Sequence, residues 1–175
     1  MKRLILLLAC ASVVWTQSCD PQPGAVNLAP SGVASQSSVF PLNPPPDAST
    51  AIDGNFETNY YKHPCAHTQG DRDPWWKLDL GKSVNIDSVF ITNRQDCCQE
   101  RLKGAQVKVG NSPDGNNPVC ATINDVSKVK IPVCCNGLEG RYVTVTIPGR
   151  SEYLTLCEVE VYGRENKKQE PSVCW

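Results

Sequence analysis

The chain has 175 residues, enough for one domain of ordinary size, with 17 basic and 18 acidic residues and a formal net charge of −1. That balance, with no basic run interleaved with aromatics, excludes a nucleic-acid-binding surface. Ten cysteines point instead to an oxidising compartment and a disulfide framework.

The first stretch, "MKRLILLLACASVVWTQSC", sets Lys2 and Arg3 before an apolar run from Leu4 to Trp15. The run is too short to cross a bilayer, and small residues at Thr16 and Ser18 suit a cleavage site. Residues 1–18 read as a signal peptide, so the mature protein is expected to be secreted and extracellular, with no membrane insertion. Cys10 would leave with the signal. Cys19, Cys65, Cys97, Cys98, Cys120, Cys134, Cys135, Cys157 and Cys174 remain. The odd number implies a free thiol, an intermolecular bridge or a different cleavage site. No CxxC pair occurs, which argues against zinc.

Residues 19–26, "CDPQPGAV", form a proline-rich lead. Residues 27–163 read as one continuous domain, and residues 164–175 as a polar tail. Cys19 and Cys174 sit in the two flanks. Because chain termini often lie close together, a Cys19–Cys174 clasp is expected.

The domain's signal is strand alternation. In "PWWKLDLG", Trp76, Leu78 and Leu80 share one face; in "SVNIDSVFI", Val84 and Ile86 alternate with polar residues. "AQVKVG" alternates Ala105, Val107 and Val109, and "RYVTVTIPG" sets Val143, Val145 and Ile147 against Tyr142, Thr144 and Thr146. Turn-rich clusters such as "NPPPD" and "NSPDGNNP" separate the runs. Short strands between turn signals imply an all-β antiparallel sandwich or jelly roll. In "EYLTLCEVEVYG" the apolar parity switches at Cys157-Glu158. Either a bulge restores both halves to the core, or the strand is buried on both faces.

The chemistry concentrates in "NRQDCCQER", Asn93 to Arg101. Cys97 and Cys98 are adjacent, and neighbouring Cα atoms are only 3.8 Å apart across a trans peptide, closer than most disulfides prefer. They either close a small strained ring, a rigid apolar knob, or pair with distant cysteines. Arg94 and Arg101 offer planar forks of donors, suited to carboxylates, phosphates or vicinal hydroxyls. Asp96 or Glu100 is placed to hold a guanidinium. Asp53-Gly54-Asn55 reads as a tight turn, or as one edge of an oxygen-lined cation site with Glu158.

Together these residues resemble the F-type lectins, the fucolectins. His67, twenty-six residues, then Arg94-x-Asp96-x-x-x-x-Arg101 matches that family's signature without gaps. "NLAPSGVASQSS", "AIDGN", "DPWWKLDLG", "LKGAQVKVGNSPDG" and "GRYVTVTIPG" look similar to it as well. The resemblance covers Asn27 to Gly163 and is strongest to the fish fucolectins. It implies a discoidin-like jelly roll that binds terminal L-fucose without catalysis, in innate recognition of fucosylated surfaces, including microbial ones. By the same resemblance His67, Arg94 and Arg101 bind the sugar. The arginines would donate to O3 and O4 and His67 to the ring-oxygen side. Asp96 would orient the arginines. A Cys97–Cys98 disulfide, Tyr60 and Tyr61 would form the apolar wall, with the loop carrying Phe40 and Leu42 as a further wall.

The family also implies a structural calcium ion. Its ligands here would be the carbonyls of Thr50, Asn55 and Cys157 and the side chains of Asp53 and Glu158. Pro64 stands where relatives have a serine, so it offers a carbonyl but no hydroxyl. The resemblance further implies Cys65–Cys157, Cys120 paired with Cys134 or Cys135, and a homo-oligomer, a trimer. Two rival readings differ in class. A glycosidase needs two facing carboxylates, which arginine neighbours would keep ionised. A discoidin-like phospholipid- or protein-binding module would need apolar spikes instead of this polar triad.

Overall fold

A computed structural model describes residues 19–63 and 65–164. The runs "PWWKLDLG" and "SVNIDSVFI" join into one strand, β4 (Trp75–Thr92). Gly81 sits at the join with φ +74°, a left-handed conformation that favours glycine. The register shifts between Asp79 and Val84, so the two halves have different neighbours. Counting along the chain, β1 is Val26–Asn27, β2 is Val33–Gln36 and β3 is Ala66–Arg72. After β4 come β5 (Gln106–Gly110), β6 (Val119–Thr122), β7 (Lys130–Thr146), β8 (Ser151–Leu156) and β9 (Glu158–Arg164).

Strand β7 runs antiparallel to both halves of β4. The first half of β4 pairs with β2 on its other edge, and the second half pairs with β9. The seven-stranded sheet has the order β1-β9-β4-β7-β5-β6, with β2 beside β4, while β3 and β8 form a separate two-stranded sheet. Every pairing is antiparallel. Three short 3-10 helices, Ala29–Ser31, Ala48–Ala51 and Gln99–Leu102, complete the described residues. None of the described helices is long and apolar enough to cross a membrane. This is the all-β jelly-roll architecture expected from the alternation.

Most of the predicted inward set is the observed core: Trp76, Leu78, Val84, Ile86, Ala105, Val107, Val109, Val143, Val145 and Ile147 are all buried, while Leu80, near the join in β4, is only partly buried against them. Burying each aliphatic side chain contributes roughly 1.5–3 kcal/mol, and a slip of one residue would turn every one of them outward. The pattern therefore fixes the register. The expected outward residues Tyr142, Thr144 and Thr146 do face away from this core, yet they too are buried.

The parity switch marks a change of sheet. At Cys157 the chain leaves β8, in the small sheet, and enters β9, in the large one. Leu154, Leu156, Val159 and Val161 are thus all core residues. Cys157 is pinned at the crossing by a disulfide to Cys65 and by its N–H, which donates to the Thr92 carbonyl at 3.0 Å.

The other bridges resolve the cysteine alternatives. Successive residues of a strand point to opposite faces. On β7, Cys135 faces the core and bonds Cys120, on the neighbouring segment. Cys134 faces outward, where it bonds Cys19. The expected Cys19–Cys174 clasp is therefore wrong: the lead is tied to the face of β7. Cys174 itself, the rest of the tail and the signal peptide lie outside the described residues.

Strands β5 and β7 approach closely at Gly140. A Cβ there would stand 2.5 Å from the Gly110 nitrogen and 2.8 Å from its Cα. Backbone cannot yield as a side chain can. Gly140→Ala is expected to destabilise the fold by about 1–3 kcal/mol, several degrees in thermal melting. An unchanged melting temperature would contradict this packing.

Candidate functional site

Sequence-distant segments meet at one cleft of about 400 Å³. Arg94 follows the end of β4, Cys97 and Cys98 occupy the turn after it, and Arg101 lies in the helix Gln99–Leu102. His67 comes from β3 and Tyr153 from β8. Phe40, Leu42, Tyr60 and Tyr61 enter from two loops, and all ten of these residues line the cleft.

Arg94 is the most constrained cation. Only 7% of it is exposed. Its Nε and Nη2 donate to Asp96 Oδ1 and Oδ2 at 3.0 and 2.7 Å. A guanidinium has five N–H bonds, so this fork leaves three for a ligand. The Arg94 Cζ lies 4.4 Å from the centre of the Tyr60 ring. The Tyr60 N–H also donates to Asp96 Oδ1, at 2.9 Å, which ties the aromatic loop to the same carboxylate. The Arg94 hydrogen bonds hold the Asp96 carboxyl below its ordinary range, against a smaller opposing effect of burial.

Arg101 is held by other groups. Its Nε stands 3.7 Å from Glu152 Oε1, and its Cζ is 5.1 Å from the Tyr153 ring centre. The Arg101 carbonyl accepts from Arg150 Nη2 at 2.7 Å. Asp96 therefore orients Arg94 but not Arg101, and the acid beside Arg101 is Glu152, not Glu100. Sequence neighbours are poor guides here because Gln99–Leu102 turns Arg101 toward β8.

His67 is buried among three rings. The centres of Phe40, Tyr60 and Tyr153 lie 4.7, 5.4 and 5.6 Å away. Its Nδ1 is 2.6 Å from the Thr68 carbonyl. A carbonyl only accepts, so Nδ1 carries a proton and donates. Burial pushes the His67 pKa below its ordinary value, more than the Thr68 hydrogen bond raises it, and Arg94 and Arg101 add to the depression. A neutral ring with a proton on Nδ1 has a bare Nε2. In that tautomer Nε2 is an acceptor for a hydroxyl hydrogen. The main chain of His67 also anchors the proline-rich loop: its N–H donates to the Pro46 carbonyl at 3.1 Å, and its carbonyl accepts from the Phe40 N–H at 2.9 Å.

Cys97 and Cys98 are bonded to each other, with Cα atoms 3.8 Å apart. Cys98 has φ +62°, a left-handed conformation unusual for a residue with a Cβ. The cleft thus has a rigid apolar lip beside its two cations. Sequence reasoning missed Tyr153, Glu152 and Arg150. Tyr153 was legible: with Leu154 and Leu156 inward, it must project outward from β8, where its ring lies against Gly70 and faces Phe40 at 6.0 Å.

Glu158 is 1% exposed; its Oε1 accepts the Gly54 N–H at 3.3 Å, and its Oε2 has no hydrogen-bond partner. Burial pushes its pKa up to about 8, opposed by the Gly54 bond and assisted by the charges of Asp53 and Glu160. Asp53 Oδ2 lies 3.0 Å from His63 Nε2. No cluster of three or more His, Cys, Asp or Glu side chains is arranged for a metal among the described residues, so an ion here would need carbonyls for much of its shell. An orphaned buried carboxyl oxygen facing a second carboxylate fits a hard, oxygen-seeking ion. Pro64, one of the expected ligands, lies outside the described residues.

Comparison with known proteins gives consistent matches. The family model for the NedA-like, galactose-binding domain matches residues 50–145. Fucolectin-3 of Anguilla japonica is 41% identical over 172 residues, covering 92% of this chain and 94% of its own. The pentraxin fusion protein of Xenopus laevis is 45% identical over 143 residues, 79% of this chain; the match spans only 34% of that longer protein. A solved f-lectin (fucolectin) from Morone saxatilis serum superposes with TM-score 0.74 at 46% identity, covering 82% of this chain and 48% of its own. A Streptococcus pneumoniae fucose binding module, SpX-3, superposes with TM-score 0.70 at 27% identity, covering 80% of this chain and 99% of its own.

The His67 ring makes a direct test of this electrostatic picture. Its folded pKa is depressed, so the stability its neutral form contributes is full above the ordinary value of 6.5 and is lost as pH falls through the folded value. An NMR titration of the imidazole protons is expected to place its midpoint below 6.5. A midpoint at or above 6.5 would contradict the burial and the arginine contacts.

Proposed function

Because the chain belongs to the fucolectin (F-type lectin) family, we propose that it is a carbohydrate-binding lectin whose cleft takes terminal L-fucose. The observation that carries this reading is the convergence of His67, Arg94 and Arg101 on one cleft beside the Cys97–Cys98 lip. L-Fucose lacks an oxygen at C6, so it offers hydroxyls on one edge and a methyl on another. The free N–H bonds of Arg94 and Arg101 donate to hydroxyl oxygens, and Nε2 of His67 accepts a hydroxyl proton. Three fixed polar groups thus satisfy a hydroxyl edge in both its senses. The disulfide, Tyr60 and Tyr61 face the apolar parts of the ring. A disulfide ring loses little freedom when a ligand docks, so a small sugar meets a pre-formed wall.

The chemistry favours binding without catalysis. A glycosidase acid must carry a proton at working pH, whereas Asp96 is held ionised by Arg94. We further propose secretion, from the N-terminal run, and a role in recognising fucosylated glycans, including microbial ones. A homo-oligomer would compensate a weak single site through avidity; a strictly monomeric protein in light scattering would refute that part.

Calcium is also proposed, as a structural ion held by Asp53, Glu158 and the carbonyls of Thr50, Asn55 and Cys157. When bound it would neutralise the Asp53–Glu158 repulsion and brace the loop leading to Tyr60. Chelation with EDTA is expected to lower the melting temperature, and an unchanged value would count against the ion.

The site assignment is tested by Arg94→Lys. Lysine keeps the charge but loses the fork to Asp96 and the stacking on Tyr60. Fucose affinity should fall about tenfold or more, equivalent to about 1.4 kcal/mol, with circular dichroism unchanged. Wild-type affinity in the variant would sink the assignment.

A further inference from the structure

A second cleft of about 340 Å³ lies on the outer face of the large sheet and shares no residue with the fucose site. Its floor is a row across three strands: Lys77 on β4 faces Thr144 on β7, which faces Lys108 on β5. The next position along β4 toward its start on this face is Trp75. The loop from Asn111 to Pro118 folds over the row. Lys77 Nζ donates to the Pro113 carbonyl at 2.7 Å and lies 5.5 Å from the Trp75 ring centre, so it belongs to the wall.

Three groups here are unused. Thr144 is only 5% exposed, yet its Oγ1 has no hydrogen-bond partner. A buried hydroxyl without a partner is costly, and this one lines an open cleft. The Lys108 ammonium has no hydrogen-bond or ion-pair partner among the described residues, although its backbone is paired within β5. Asp114 spends Oδ1 on the Ser112 hydroxyl and the Asn116 N–H, both at 2.8 Å, and leaves Oδ2 open. The Asn116 bond keeps this carboxylate ionised.

We propose that this cleft is a second saccharide subsite, taking a pyranose ring stacked on Trp75 with its hydroxyls shared among Lys108, Asp114 and Thr144. A lone anion would meet Asp114, and a lone cation would meet Lys77 and Lys108. A hydroxyl-rich ring satisfies a donor, an acceptor and a group that is both, and its C–H face suits the indole. One chain would then contact a glycan at two places. Residues remote from the triad would contribute to avidity.

The test is an NMR titration of the ¹⁵N-labelled protein carrying Arg94→Lys, so that the first site is weakened. Methyl β-D-galactopyranoside, N-acetyl-D-glucosamine and methyl β-D-glucuronide serve as probes, with glycerol at equal concentration as the control. The account expects saturable shifts of the Trp75 indole N–H and the Thr144 backbone amide with at least one pyranoside, both lost in Lys108→Met and the Thr144 shift lost in Trp75→Ala as well. Lys108→Met keeps the test valid if Trp75→Ala folds poorly. No shift with any pyranoside, or equal shifts with glycerol, would overturn the proposal. So would shifts that survive Lys108→Met. L-Fucose binding by the unmodified chain is read separately, so failure of that reading and failure of this one are distinguishable.

Discussion

The site depends on one buried ion pair. Arg94 and Asp96 expose only 8% and 12% of their side chains, so each needs the other: leaving either charge unpaired would cost about 3–5 kcal/mol. From this pair the rest follows. Asp96 also anchors Tyr60 through its N–H, and Tyr60 packs on Arg94 and His67. The outward N–H bonds of the guanidinium are thereby aimed before any ligand arrives. A rigid donor set loses less freedom on binding than a solvated lysine would.

The fold provides this rigidity by bringing strand ends together. Strand β4 carries the chain to Arg94, and the crossing at Cys157 brings β8 and β3 alongside. His67 lies opposite Thr155 in that small sheet. Its imidazole is buried and kept neutral, with the proton on Nδ1. Two cations and one neutral acceptor then share a cleft without mutual repulsion growing as pH falls toward neutrality. The Cys97–Cys98 ring adds an apolar edge that cannot change rotamer.

Much of this was legible in the sequence, for identifiable reasons. Two-residue alternation declares which side chains face the core, so the inward sets around Trp76, Val107 and Val143 were readable. The spacing of His67, Arg94, Asp96 and Arg101 marked the cleft. What escaped depends on contacts between distant segments. Nothing local says that "PWWKLDLG" and "SVNIDSVFI" form one bent strand, or that Cys157 changes sheets instead of bulging. Adjacent cysteines on a strand must point apart, which separates Cys134 from Cys135, but only the packing of the lead shows that Cys134 meets Cys19. Glu152 escaped because it reaches Arg101 from β8, distant in sequence, while Glu100 is a neighbour in sequence only.

The central claim is that fixed donors on one side and an apolar wall on the other select a 6-deoxy sugar. Isothermal titration of the protein in calcium-containing buffer with L-fucose and with L-galactose, which differs only by a hydroxyl at C6, tests it most directly. The account predicts saturable one-site binding of L-fucose and weaker binding of L-galactose. Equal affinity for the two would contradict the apolar wall, and no binding of L-fucose by the folded protein would contradict the site itself.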